Sequence, residues 1–82
     1  MDKYADTRSV IENMASVKLA MNSHKGDIEN MSHEDLIKRL RGEVEELDEA
    51  EGMLHVIEEA ADVYNFLLAL VHKKVTGYRE RK

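Results

Sequence analysis

The chain has 82 residues, no cysteine and no proline, and a formal net charge of −5. This length predicts one domain, the missing cysteines exclude disulfides and thiolate zinc sites, and the negative charge argues against duplex nucleic acid as a partner. A charged fraction of 35% with only 5% aromatic residues favours helices over a β-sandwich or barrel. Neither a signal peptide nor an apolar run long enough to cross a membrane is recognisable, so we expect a cytoplasmic protein.

The first predicted helix runs from about Thr7, a suitable N-cap, to about Ser23. Apolar residues recur along it at helical spacing, namely Val10, Met14, Val17 and Met21. The polar segment NSHKGDIENMS, which contains Gly26, then predicts a loop.

A second helix is predicted from about His33. Ser32 and Asp35 resemble a capping box in which Asp takes the place of Glu or Gln. The apolar stripe of this helix consists of Leu36, Ile37, Leu40, Val44 and Leu47.

The third predicted helix follows a break at Gly52 and runs from about Met53 to Thr76, with Gly77 as its stop signal. Its mixed face carries His55, Glu59, Asp62, Phe66, Ala69 and Lys73, and its opposite face carries Ile57, Tyr64, Leu68, Val71 and Val75. Three helices leave this third one with more apolar surface than two neighbours can cover. We therefore predict one all-α domain over residues 1–82, with a basic tail from about residue 73, that forms an oligomeric helical bundle.

Two pairs of carboxylates three residues apart, Glu43 with Glu46 and Glu59 with Asp62, are the most informative motif. This spacing puts both members of a pair on the same side of a helix. Asp62 lies within the apolar run AADVYNFLLALV, where a carboxylate needs a compensating partner. The two helices are joined by a short turn and should therefore be antiparallel, which can bring the two pairs of carboxylates face to face. Such a cluster of carboxylates favours a hard divalent cation such as Mg²⁺.

The pattern Glu-x-x-Glu, then twelve residues, then Glu-x-x-Asp resembles the all-α nucleoside triphosphate pyrophosphohydrolases, the MazG-like superfamily. The segments NSHKG, LIKRLRGEVEELDEA and HVIEEAADVYNFLLAL look like a small phage and prophage-type branch associated with purine deoxynucleotides, and the likeness covers roughly residues 15–72. The resemblance implies a MazG-like homodimer or homotetramer that hydrolyses an NTP or dNTP to the monophosphate and pyrophosphate. It also implies Mg²⁺ as cofactor, with Mn²⁺ as a substitute.

The same resemblance implies metal binding and catalysis by Glu43, Glu46, Glu59 and Asp62. Further side chains are candidates for substrate contacts, through phosphate oxygens or through the base and sugar: Asn22, His24, Lys25, Arg39, Asn65 and Lys73. One departure is that Asp27 and Ile28 follow the KG dipeptide, where relatives often carry an aromatic residue. The base preference is therefore open.

Two alternatives to an enzyme remain open. The chain could be a non-catalytic helical interaction module, in which the apolar faces of the first and third helices bind a partner and the carboxylates only increase solubility. Asp62 argues against this, because such a module needs no carboxylate within its apolar helix. A nucleotide-binding protein without turnover lies between the two.

Overall fold

The computed structural model describes residues 2–21, 28 and 30–80, without the side chains of residues 79 and 80. This part of the chain contains three helices and no strand: α1 (Ala5–Met21), α2 (His33–Glu49) and α3 (Met53–Glu80). The prediction of an all-α fold with three main helices is confirmed. Among the described residues, no helix combines the length and the apolar character that a membrane span requires.

The first helix begins two residues before the predicted N-cap, so the assignment of that role to Thr7 is wrong. A polar side chain close to the start of α1 is Asp2 instead. Its Oδ1 accepts a hydrogen bond from the backbone N–H of Tyr4 at 2.8 Å, and its Oδ2 pairs with Arg8 at 2.6 Å. A carboxylate at this end also interacts favourably with the helix dipole. The last residue of α1 is Met21, and the predicted end at Ser23 lies outside the described residues.

The boundaries between α2 and its neighbours follow the predicted local signals. The side chain of Ser32 accepts a hydrogen bond from the backbone N–H of Asp35 at 3.1 Å, and α2 begins at His33. After α2 ends at Glu49, Gly52 adopts a φ of +85°, a left-handed conformation that residues with a Cβ rarely adopt. The predicted start of α2 near His33 and the predicted break at Gly52 are both confirmed.

The third helix is longer than predicted, because it continues through Gly77 to Glu80. A glycine ends a helix when it adopts the left-handed conformation, and among the described residues only Gly52 has a positive φ. Gly77 stays helical, at a cost of about 1 kcal/mol relative to alanine. The prediction of Gly77 as a stop signal is therefore wrong.

Both other helices pack on α3, and within the described ranges no Cα atom of α1 lies within 8 Å of one in α2. Between α2 and α3 the core consists of Leu36, Phe66 and Leu70, with Ile28, Met31, Ile37, Leu40 and Ala69 packed around it. Between α1 and α3 the buried apolar residues are small, Ala15 and Ala61. Within the described residues, α3 is thus the helix on which both α1 and α2 pack.

Much of the predicted apolar surface is exposed in the single chain. The stripe predicted on α1 is mostly solvent-facing, because Val10, Val17 and Met21 are exposed while Ala15 is the buried residue of this helix. On α3, the face opposite the carboxylates exposes Leu67, Leu68, Val71, Val75 and Tyr78. These helices therefore leave apolar faces without cover inside the chain, and oligomerisation remains a prediction.

Candidate metal centre

Three of the four predicted carboxylates converge between α2 and α3. Glu43 and Glu46 come from α2 and Glu59 from α3, and each places one carboxylate oxygen within 4.8 Å of the other two. The i, i+3 spacing on α2 and the reversal of the chain at Gly52 produce this arrangement. Glu43 is buried, Glu59 is half-buried and Glu46 is exposed, so the cluster opens to solvent on the side of Glu46.

The buried oxygens of this cluster lack partners of their own. Glu43 has only 7% of its surface exposed, and its Oε2 forms no hydrogen bond within the described residues; the same holds for Oε2 of Glu59. An ionised carboxylate oxygen that is removed from water without a partner destabilises the fold. A hard divalent cation prefers such oxygen ligands, so these residues fit Mg²⁺ or Mn²⁺.

Proximity of like charges and burial change the ionisation of the cluster. Burial raises the pKa of Glu43 from 4.5 to about 7, and a hydrogen bond with Glu46 and the charges of Glu46, Asp62 and Glu59 act in the same direction. Burial also raises the pKa of Glu59, reinforced by Glu46 and Asp62 and opposed by Lys18. Without a cation, the cluster therefore retains a proton near neutral pH.

The structure places Asp62 beside this cluster rather than in it. Its Oδ2 accepts a hydrogen bond from Nζ of Lys18, on α1, at 2.7 Å. The same Nζ donates to the backbone carbonyl of Glu58 at 3.3 Å. The compensating partner that the sequence required for Asp62 is thus a lysine of the chain itself.

Two partners of the carboxylates were not predicted. Lys18 follows Ile11 by seven residues and Ala15 by three, a spacing that places it on the same face of α1 as the buried Ala15. That spacing is the feature of the sequence from which a position of Lys18 facing α3 could have been predicted. His55 lies one turn before Glu59 on α3, with its Nε2 3.5 Å from Oε1 of Glu59.

Arg39 and Asn65 occupy different places around the site. Nη2 of Arg39 lies 3.6 Å from Oε1 of Glu43, and its guanidinium stacks 5.1 Å from the centre of the Phe66 ring. The arginine side chain is more than half exposed, so it reaches from the cluster to solvent. Asn65 is buried, and its Nδ2 donates to the backbone carbonyl of Ala15 at 3.0 Å, which ties α3 to α1.

Of the other predicted substrate contacts, Lys73 lies within the described residues, and the structure does not bring it to the carboxylates. Lys73 is exposed on α3, eleven residues after Asp62 and therefore about 16 Å further along the helix axis. The three candidates in the loop lie outside the described residues: Asn22, His24 and Lys25.

Comparisons of the chain with protein-family models, with curated proteins and with solved structures gave no match. Any functional assignment therefore depends on the chain's own motifs and on the geometry of Glu43, Glu46, Glu59 and Asp62.

Proposed function

We propose that this protein is a MazG-like nucleoside triphosphate pyrophosphohydrolase, which uses Mg²⁺ to hydrolyse a purine dNTP to the monophosphate and pyrophosphate. The observation that carries the proposal is the convergence of Glu43, Glu46 and Glu59, with two buried carboxylate oxygens that lack partners among the described residues. Asp62, one turn from Glu59, is the fourth ligand in this proposal.

The reaction forms a bond between a water oxygen and the α-phosphorus and breaks the bond from that phosphorus to the oxygen bridging to the β-phosphorus. A divalent cation held by the carboxylates would supply positive charge to the phosphate oxygens and would make a bound water more acidic. Glu46 is the exposed member of the cluster, and in this proposal it would accept the proton of the attacking water. Arg39 is exposed enough to turn from Glu43 to a phosphate oxygen, where its fork of donors matches the anion.

The remaining substrate contacts belong to the same proposal. Lysine side chains would neutralise the charge of the leaving pyrophosphate, and side-chain amides would contact the base or sugar. The residues proposed for these contacts are Asn22, His24, Lys25, Asn65 and Lys73.

We assign the exposed apolar faces to a second copy of the chain, in a homodimer or homotetramer. Domains are generally built from at least two packed layers, and here α1 and α2 both pack on α3, with no Cα atoms of the two within 8 Å of each other among the described residues. A second copy would cover Val71 and its exposed apolar neighbours on α3. Sedimentation should find a dimer or larger species that Val71→Glu dissociates, whereas a wild-type monomer would contradict this assignment.

The enzymatic proposal is tested by incubating the protein with a panel of dNTPs and Mg²⁺ and separating the products by ion chromatography. We expect monophosphate and pyrophosphate in equal amounts, and a loss of at least about a hundredfold in Glu59→Gln. The matched control is Glu45→Gln, which alters an exposed carboxylate next to Glu46 and should retain activity.

The outcome also separates the alternatives. No turnover of any nucleotide, together with no thermal shift on adding Mg²⁺ or Mn²⁺, would contradict the enzyme and favour an interaction module that uses the exposed apolar face of α3. Tight dNTP binding without product would instead identify a nucleotide-binding protein.

A further inference from the structure

Lys18 extends from α1 to the carboxylates on α3. Its Nζ is held by two acceptors one turn apart, Oδ2 of Asp62 at 2.7 Å and the carbonyl oxygen of Glu58 at 3.3 Å. The side chains of Lys18 and Asp62 are only 22% and 25% exposed. The ammonium is therefore a largely buried cation rather than a solvated surface charge.

Asp62 lies between the two helices that flank α3. At about 100° per residue, it falls on α3 between Asn65, which bonds to α1, and Glu59, which joins the carboxylates of α2. Lys18 reaches Asp62 from the side of α1, while a cation among the three converging carboxylates would lie on the side of α2. The two cations would thus share one carboxylate from opposite sides.

We propose that Lys18 holds Asp62 in the metal-free protein and releases it when a divalent cation binds, so that Lys18 sets the metal affinity and metal loading breaks a contact between α1 and α3. This inference rests on the proposed metal site. The cation replaces Lys18 at Asp62 because it carries twice the charge and is also bound by Glu43, Glu46 and Glu59. Lys18 is a positioning residue in this scheme, since it acts through Asp62.

The charge of Lys18 can be removed while most of its apolar stem is kept. In Lys18→Met, Asp62 has no competing partner, so Mn²⁺ measured by calorimetry without nucleotide should bind about tenfold more tightly than to the wild type. In the background of Asp62→Asn, the same substitution should give a much smaller gain, because only the weaker interaction of Lys18 with Glu59 is left to remove. Lys38→Met, which alters an exposed lysine on α2, is the matched control and should bind Mn²⁺ as the wild type does.

A measurement on the wild-type protein avoids any effect of the substitution on folding. The NMR signal of the Lys18 side-chain Cε should move when Mg²⁺ saturates the protein, because its ion pair with Asp62 breaks, and it should not move in Glu59→Gln. Equal or weaker Mn²⁺ binding by folded Lys18→Met, or an unmoved signal at saturation, would overturn this inference and leave the metal site standing. Absence of metal binding by the wild type would instead overturn the proposed function.

Discussion

The ionisation of Glu43 makes a quantitative prediction about stability without metal. Its pKa is about 7 in the folded chain, against 4.5 for an unperturbed glutamate, because the carboxylate is buried beside other carboxylates. The folded state therefore binds this proton more tightly than the unfolded state, and the free energy of unfolding falls as pH rises from about 4.5 to about 7. The difference between 4.5 and about 7, at about 1.4 kcal/mol per pH unit, corresponds to about 3 to 4 kcal/mol over the whole range.

The substitution Glu43→Gln removes this titration and keeps the shape of the side chain. In EDTA, the free energy of unfolding of the variant minus that of the wild type should increase by about 2 to 3 kcal/mol between about pH 5 and about pH 8. Urea denaturation at a series of pH values measures both proteins. The subtraction cancels every contribution to the pH dependence that is the same in both proteins.

Mg²⁺ should change the free energy of unfolding of the wild type but not that of the Glu43→Gln variant. Excess Mg²⁺ should stabilise the wild type at pH 8 by mass action and have little effect on Glu43→Gln. Glu45→Gln, which changes an exposed carboxylate, is the matched control, and excess Mg²⁺ should stabilise it as it stabilises the wild type. A difference between Glu43→Gln and the wild type that does not change with pH, or a variant less stable than the wild type at pH 8, would refute a buried carboxylate with a raised pKa.

Five further substitutions test the packing and the backbone, and urea denaturation measures each of them. Leu36→Ala, at 1% exposure, should lower the free energy of unfolding by about 2 to 5 kcal/mol, whereas Val44→Ala on the exposed side of α2 should change it little. Gly52→Ala should destabilise by about 1 kcal/mol because of the positive φ, while Gly42→Ala, inside α2 with open space around it, should stabilise by up to about 1 kcal/mol. Asn65→Ala removes the hydrogen bond to α1 and should cost about 1 to 2 kcal/mol; an unchanged midpoint would contradict its role.

The features that sequence predicts well are those fixed by neighbouring residues. The start of α2 depends on a hydrogen bond between Ser32 and Asp35, and the turn before α3 depends on the φ that Gly52 adopts. The meeting of Glu43 with Glu59 follows in turn, because a short connection forces α2 and α3 to lie antiparallel. Each step involves residues close in the chain, so spacing alone is informative.

The packing of α1 could not be predicted in the same way. Lys18 and Asp62 are 44 residues apart, and residues 22–32 separate α1 from α2 in the sequence, so no local rule fixes which face of α1 meets α3. Apolar spacing favoured the face with Val10 and Val17, but the small side chain of Ala15 is the one buried against α3. A close approach between helices favours small residues, which hydrophobicity alone does not identify.

The negative charge of the carboxylates is balanced in the metal-free protein by cationic side chains and by a proton. Four carboxylates meet two cations of the chain, Lys18 at Asp62 and Arg39 at Glu43, and the remaining repulsion is relieved by a proton on the cluster. A divalent cation would supply the charge that the proton and Lys18 provide without it. The two side-chain cations would then be available as a triphosphate, itself strongly anionic, enters the site. In this scheme, the ion pairs of the metal-free protein hold the positive charge that substrate binding requires.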